Sequence, residues 1–189
     1  MPDVVLLRHG ETEWSATGRH TGTTDVPLTD RGRDQARAIG ALLRGRCFAR
    51  VLVSPLRRAA ETSWLAGLGG GEVVDDLREW AYGDFEGRTT EEVREGLPGW
   101  TVWTGPVPGG EQVDDVGHRA DRVIEAVRAV DGDVAVVAHG HLLRVLAARW
   151  IGLPAEAGRL LALSTATVSV LGWEREQPVV TVWNQPAPD

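Results

Sequence analysis

Val4-Val5-Leu6-Leu7-Arg8-His9-Gly10-Glu11-Thr12 is the stretch that decides the fold of this chain. A short apolar run that stops at a polar pair and a glycine reads as a buried strand of a parallel sheet. In open α/β sheets, ligands bind just beyond the carboxyl ends of the strands. Arg8 and His9 at such an end are placed to meet a ligand, and Gly10 lets the backbone come close. An arginine beside a histidine suits an anionic substrate together with a nucleophile or an acid/base group. The same tripeptide also reads as a surface loop, so the rest of the chain must decide.

Composition narrows the choice. The 189 residues predict one domain, long enough to bury a core. A net charge of −7 argues against nucleic acid or an anionic membrane surface as the main partner. No apolar run approaches the roughly 18 residues of a membrane span, and the N-terminus lacks a basic-then-apolar leader pattern. A cytoplasmic location is therefore the expectation. Cys47 stands alone, which leaves neither a disulfide framework nor a thiolate metal cluster. The chain has no lysine, so its 20 basic residues are all arginine. Schiff-base chemistry and the Walker-type phosphate loop both need a lysine and are excluded. Any phosphate held here must be held by Arg, His and backbone N–H groups.

Taken in order, the polar, Thr- and Gly-rich segment 11–26 reads as a functional loop. Thr29 N-caps a helix that carries Ala36, Ile39 and Leu43 at helical spacing and stops at Gly45. Arg50-Val51-Leu52-Val53 is a second short strand, and Leu56 to Leu68 a helix with Pro55 near its first turn. Glu72 to Asp75 is a weaker strand. Leu77 to Pro108 is irregular but rich in aromatic residues, with one helical piece near Thr89–Glu95; long stretches of this kind are usually functional. Val113, Val116, Ala120, Val123, Val127 and Val130 mark an amphipathic helix, with His118 on its exposed side. Asp133 to Ala138 is the strongest strand signal and runs into His139-Gly140-His141. A helix over Leu142 to Ile151 and two strands, Ala166–Trp173 and Pro178–Trp183, close the chain.

Three strand ends thus supply Arg8 and His9, Arg58 with Arg57, and His139. Arginine forks bind phosphate oxygens bidentately, so two Arg and two His around one point suit a compact dianion. The combination of Leu7-Arg8-His9-Gly10-Glu11-Thr12, Pro27-Leu28-Thr29 with Gly32, Ser54-Pro55-Leu56-Arg57-Arg58-Ala59 with Thr62, Glu79 followed by Gly83 and Glu86-Gly87, and Ala138-His139-Gly140 resembles the histidine phosphatase superfamily, the phosphoglycerate-mutase-like group. The motifs come in the family's order and span nearly the whole chain.

The resemblance implies a single domain over residues 1–189, a three-layer αβα fold with a mostly parallel central sheet. It implies that His9 is the nucleophile of a phosphohistidine intermediate, that Arg8, Arg58 and His139 complete the phosphate pocket, and that Glu79 gives a proton to the leaving oxygen. Ser15, Thr21, Gly22 and Gly140 match positions beside the phosphate. Arg57 is read as solvated, and Trp100 and Trp103 as wall residues that could cap a substrate. No cofactor and no metal is implied; His139 and His141 lack the partners a metal site requires.

Arg88, Arg94, Arg119 and Arg122 are scattered, unlike the basic cluster of glycolytic mutases, and hydrolysis is therefore the first reading. Arg19-His20-Thr21-Gly22, the segment from Trp103 to Glu111 and the C-terminal Trp173–Asn184 stretch are similar to a subgroup of small bacterial acid phosphatases. The implied substrates are small phosphorylated metabolites, sugar phosphates among them, with no nucleic acid or membrane partner and a homodimer left open. A cofactor-dependent mutase and a non-catalytic phospho-ligand binding module are the alternatives.

Overall fold

Alternation along the first strand builds two cores. In the computed structural model, which describes residues 2–187, strand β1 (Val4–Arg8) sends Val4 and Leu6 to one face of the sheet and Val5 and Leu7 to the other. Both faces are dry, as a parallel strand covered by helices on either side must be. On one face lie helices α2 (Asp30–Ile39) and α3 (Arg57–Leu65), whose Ile39 and Ala59 meet Val5, Leu7 and Val53. Helices α5 (Val113–Arg128) and α6 (Gly140–Trp150) cover the other face, packing Val123, Val127, Leu142 and Leu146 against Val4, Leu6 and Val136. The architecture is therefore three-layered, helix–sheet–helix.

The sheet has six strands in the order β3 (Glu72–Val73), β2 (Arg50–Val53), β4 (Val134–Ala138), β1, β5 (Thr167–Glu174), β6 (Gln177–Pro186). β1, β2, β3 and β4 pair in parallel; β5 alone runs against its neighbours. Register fixes where the chemistry sits. Arg8 pairs with Ala138 and Val53 with Val137, so β1, β2 and β4 end level. The ladder continues one step further, with His9 N–H donating to Ala138 and Ser54 N–H to Val137, each at 3.0 Å. His9, Ser54 and His139 therefore leave the sheet side by side.

Several boundaries differ from the sequence reading. Segment 11–26 contains a one-turn helix, α1 (Glu13–Ala16), because Thr12 and Ser15 form a reciprocal capping box. Thr29 does cap α2, accepting from Gly32 N–H, but the helix tightens into a 3₁₀ turn at Gly40–Leu43. The third strand shortens to two residues, and the helix after β2 ends at Leu65. Helix α6 starts two residues early, at Gly140, with His139 as its N-cap. In the irregular stretch, a second capping box between Thr89 and Glu92 opens α4 (Thr90–Arg94). Glycine at positions 10 and 32 is demanded by close approach: a Cβ on Gly10 would stand 2.2 Å from the Gly32 carbonyl oxygen, and one on Gly32 would stand 2.1 Å from that of Glu11. These two glycines let α2 press against the loop that follows β1.

Candidate active site

His9 is 4 % exposed and sits among cations. Its Nδ1 lies 2.7 Å from the Gly10 carbonyl, an acceptor, so Nδ1 carries the proton and Nε2 keeps its lone pair. Burial, then Arg58, then Arg8 holds its pKa well below the ordinary value of 6.5. The ring is therefore held neutral, with Nε2 unprotonated. Gly10 N–H in turn donates to Thr62 Oγ1 at 3.1 Å, which fixes the peptide that orients the ring.

His139 lies beside it, ring centroids 5.1 Å apart. Arg58 Nε donates to His139 Nδ1 at 3.2 Å, so the ring's own proton is on Nε2, which faces Ser54 Oγ at 2.7 Å. Burial and the neighbouring cations push the pKa of His139 well down. Arg58 is completely buried. Its terminal nitrogens donate to the carbonyls of Thr21, Gly22 and Thr24 at 2.9–3.1 Å. Arg58 thus ties the loop after α1 to His139. The neighbouring Arg57 is exposed, as read from sequence, and its backbone N–H donates to Asp25 Oδ1 at 2.9 Å.

A cavity of about 390 Å³ opens beside this cluster, lined by Arg8, Ser15, Thr21, Glu79 and Gly140 among others. His9, Arg58 and His139 are not in its wall; they are buried next to Arg8. Arg8 donates to the Leu163 carbonyl, and its Nε is buried without a partner among the described residues. Such an N–H is costly until an acceptor reaches it. Burial lowers the Arg8 pKa while Glu79 raises it. Space is tight at Gly140: a Cβ at that position would come to 3.1 Å from Arg8 Cζ, so the Arg8 side chain would have to give by a fraction of an ångström.

Glu79 closes the far side. Its carboxylate oxygens accept from the N–H groups of Trp80, His141 and Leu142 at 2.9–3.0 Å, the last two at the start of α6. A helix N-terminus offers unpaired N–H groups and a positive dipole end. The segment carrying Glu79 is clamped from behind. Glu111 receives a two-point bond from Arg119 at 2.7 and 2.8 Å and a third from Ala81 N–H, while Arg119 also donates to the carbonyls of Asp76 and Arg78. The Glu111 carboxylate is thereby committed to this clamp.

The remaining positions divide into wall and frame. Ser15 and Thr21 line the cavity, although the Ser15 hydroxyl is also spent on the α1 capping box. Gly22 does not line it: its N–H donates to Glu86 Oε1 and its carbonyl accepts from Arg58. Trp103 is on the wall, whereas Trp100 lies behind, its indole N–H donated to Pro106 and its ring edge-on to His20. His139 and His141 do not converge. His141 Nδ1 is 2.6 Å from the hydroxyl of Tyr82, a phenol that burial and the carboxylates Glu79 and Glu86 keep protonated. Burial and Arg144 push His141 well down. No three His, Cys, Asp or Glu side chains among the described residues form a metal-binding group.

Sequence reasoning did not place Arg19, His20, Arg94, His141 and Arg144 in the site, and they also line the cavity, as does Tyr82. For Arg144 a signal existed. It lies four residues after Gly140 on one helix, hence on the same face. Arg94 carried no such signal.

Comparison with known proteins agrees with the geometry. The sequence model of the histidine phosphatase superfamily (branch 1) matches residues 4–186. An acid phosphatase of Mycobacterium tuberculosis is 44% identical over 193 aligned residues, covering 98% of this chain and 95% of that protein. A solved structure of a Mycobacterium tuberculosis protein superposes with a TM-score of 0.95 at 42% identity, covering 99% of both chains. Mycobacterial glucosyl-3-phosphoglycerate phosphatase, solved with a vanadium oxyanion, superposes at a TM-score of 0.87 with 32% identity over 98% of this chain and 100% of that one. The fold, the two strand-end histidines and the family match agree, and the chain belongs to the histidine phosphatase superfamily, branch 1.

Proposed function

We propose that this chain is a phosphomonoesterase acting on small phosphorylated metabolites through a phosphohistidine on His9. The observation that carries the reading is the His9 ring, neutral through burial, anchored through Nδ1 to Gly10 and flanked by Arg8, Arg58 and His139. In the first step His9 Nε2 forms a bond to phosphorus while the bond from phosphorus to the ester oxygen breaks, and Glu79 gives that oxygen its proton. In the second, water attacks the phosphohistidine, Glu79 takes the water's proton, and inorganic phosphate leaves as His9 is regenerated. The arginines balance charge on the phosphoryl oxygens in both steps without rearranging.

Two similar proteins support the hydrolytic reading by their names, an acid phosphatase and a glucosyl-3-phosphoglycerate phosphatase. The test is a screen of phosphorylated metabolites for released phosphate, run beside an assay for isomerised product, with acid-labile phosphate trapped on the protein during turnover. Phosphate release with a trapped phosphoenzyme supports the reading. Isomerised product without phosphate release replaces it with a mutase, and binding with neither product leaves a phospho-ligand module.

A further inference from the structure

Glu79 is held at its two ends by two different helices. Its carboxylate accepts from the His141 and Leu142 N–H groups at the start of α6. Its backbone is held from the side of α5. Arg119, on that helix, donates to the carbonyls of Asp76 and of Arg78, which precedes Glu79, and closes a two-point bond on Glu111. Glu111 carries the hold to the two residues that follow Glu79. Ala81 N–H donates to Glu111 Oε2, Glu111 N–H donates to the Ala81 carbonyl, and the Trp80 indole N–H donates to the Glu111 carbonyl, all at 2.7–2.9 Å.

Close packing leaves this brace no slack. A Cβ on Gly110 would stand 2.2 Å from the Ala81 carbonyl oxygen, and one on Gly83 would stand 2.1 Å from that of Pro108. Pro108 to Glu111 therefore lies against Ala81 to Gly83 backbone to backbone. Arg119–Glu111 is also the most enclosed ion pair among the described residues, its side chains 12 % and 25 % exposed. Exposed pairs are screened and contribute little; a pair shielded from water and joined at two points fixes geometry. Neither residue lines the cavity beside Arg8. Any effect they have on the chemistry there must pass through the segment they hold.

Resting on the phosphomonoesterase reading above, with Glu79 as its proton donor, we propose that Arg119 and Glu111 are positioning residues for Glu79. They fix the root of its side chain while α6 fixes the carboxylate, and the two together set the distance over which the proton passes to the leaving oxygen. Without the pair the segment relaxes and the carboxyl drifts, and proton transfer is sensitive to displacements well below the length of a hydrogen bond.

The test uses the leaving group, on the intact protein. Single-turnover cleavage of propyl phosphate needs the Glu79 proton, whereas the nitrophenol burst from p-nitrophenyl phosphate hardly does. Arg119→Met removes the charge and every bond the guanidinium makes. It is expected to slow propyl phosphate cleavage by about 10–100-fold, the effect of misplacing a reacting group by up to about 1 Å, and the burst by much less. In the Glu79→Gln background the same substitution should slow propyl phosphate cleavage little further, because two residues acting through one group are not additive. Arg119→Lys keeps the charge and one donor and should recover part of the loss; it carries the comparison if Arg119→Met melts early. Equal loss on both substrates in a folded variant overturns the positioning role. So do wild-type rates on both, or a full additional loss in the Glu79→Gln background. With Glu79→Gln itself selective for propyl phosphate, those results remove the positioning role alone. If Glu79→Gln slows both substrates equally, the proton-donor reading falls and the positioning role with it. Absence of phosphate release from either substrate in the wild type removes the phosphomonoesterase reading and all that rests on it.

Discussion

Arg58 Nε stands 3.2 Å from His139 Nδ1, and this bond decides which nitrogen of His139 carries its proton. The same guanidinium serves the carbonyls of Thr21, Gly22 and Thr24. A histidine at the end of β4 is thereby joined through α3 to the loop after α1. A lysine can supply neither the fork nor the number of donors. In Arg58→Lys we expect kcat to fall by about 10²-fold, as expected when a group that positions the site is lost and its neighbours shift by about 1 Å. Thermal stability should fall too, because buried carbonyls lose partners at about 1–3 kcal/mol each. Turnover on p-nitrophenyl phosphate and a melting curve read the two effects. Wild-type turnover in the lysine variant would remove Arg58 from the mechanism.

The nucleophile proposed here, His9, makes a prediction about pH. Burial, Arg58 and Arg8 hold the His9 pKa well below 6.5, so the ring stays neutral and able to attack in mild acid. The acidic limb of kcat/KM should therefore lie well below pH 6.5 rather than at it. His9→Ala should abolish turnover and the acid-labile phosphoenzyme together while leaving the far-ultraviolet spectrum unchanged. An acidic limb centred on the ordinary histidine value, or activity in a folded His9→Ala protein, would contradict the assignment.

Gly140 offers a steric test. An added methyl would press on Arg8, at 3.1 Å from Cζ and 3.2 Å from Nε. Gly140 is not among the glycines with positive φ, and a Gly-to-Ala change at a compatible backbone stabilises by about 0.4–1 kcal/mol through the unfolded chain. Gly140→Ala should therefore keep or slightly raise the melting temperature. It should also lower kcat/KM by about tenfold to a hundredfold, as expected when a positioning group is displaced by a fraction of an ångström. Equal loss of stability and activity would mean that the residue matters for packing and not for Arg8.

Stability should fall in acid for a related reason. His9, His20, His139 and His141 all have pKa values lowered by burial. Unfolded, these rings titrate near the ordinary value of 6.5. As pH falls through that value the unfolded state takes up protons that the folded state refuses. Their contribution is complete above the unfolded pKa and is lost progressively below it. Denaturant titrations between about pH 7.5 and about pH 5.5, above the range where most carboxylates titrate, should show stability decreasing with acid. A flat or opposite trend would show that the rings are not held neutral.

Much of this architecture is legible in the sequence because it rests on local patterns. Short apolar runs ending in Arg8-His9 and His139 mark parallel strands, and level strand ends bring them together by register alone. Thr29 announces its helix through one side-chain bond. What was not legible depends on distant partners. The stretch Leu77 to Pro108 has no period, because part of its backbone is held from outside, Ala81 N–H by Glu111 and the Arg78 carbonyl by Arg119, rather than by a ladder of its own. Gly22 looks like a phosphate contact and is instead a narrow passage: a Cβ there would meet the Trp80 carbonyl oxygen at 2.4 Å. The arginines that read as scattered are scattered only along the chain. Arg94 reaches the cavity, Arg119 clamps Glu111, Arg122 pairs with Asp76, and Arg88 lies over Phe85.

Glu79 carries the most exacting prediction, because three backbone N–H groups claim its oxygens as well as the proposed leaving group. A general acid matters in proportion to how poor the leaving group is: an alkoxide needs its proton and a nitrophenolate hardly does. Such catalysis typically contributes about 10²–10⁴-fold. Glu79→Gln keeps the side chain's shape and removes the titrating proton, so phosphorylation of the protein by an alkyl phosphate should slow by about that range. Phosphorylation by p-nitrophenyl phosphate should slow much less. The same carboxyl is proposed to activate water in the second step, so the comparison must use the burst of nitrophenol and single-turnover alkyl-phosphate cleavage, not steady turnover. The amide also brings an NH₂ group where an oxygen accepted from His141 or Leu142 N–H, so a melting curve separates misplacement of α6 from loss of acid catalysis. If both substrates lose the same factor in a folded variant, Glu79 holds the start of α6 and does not deliver the proton.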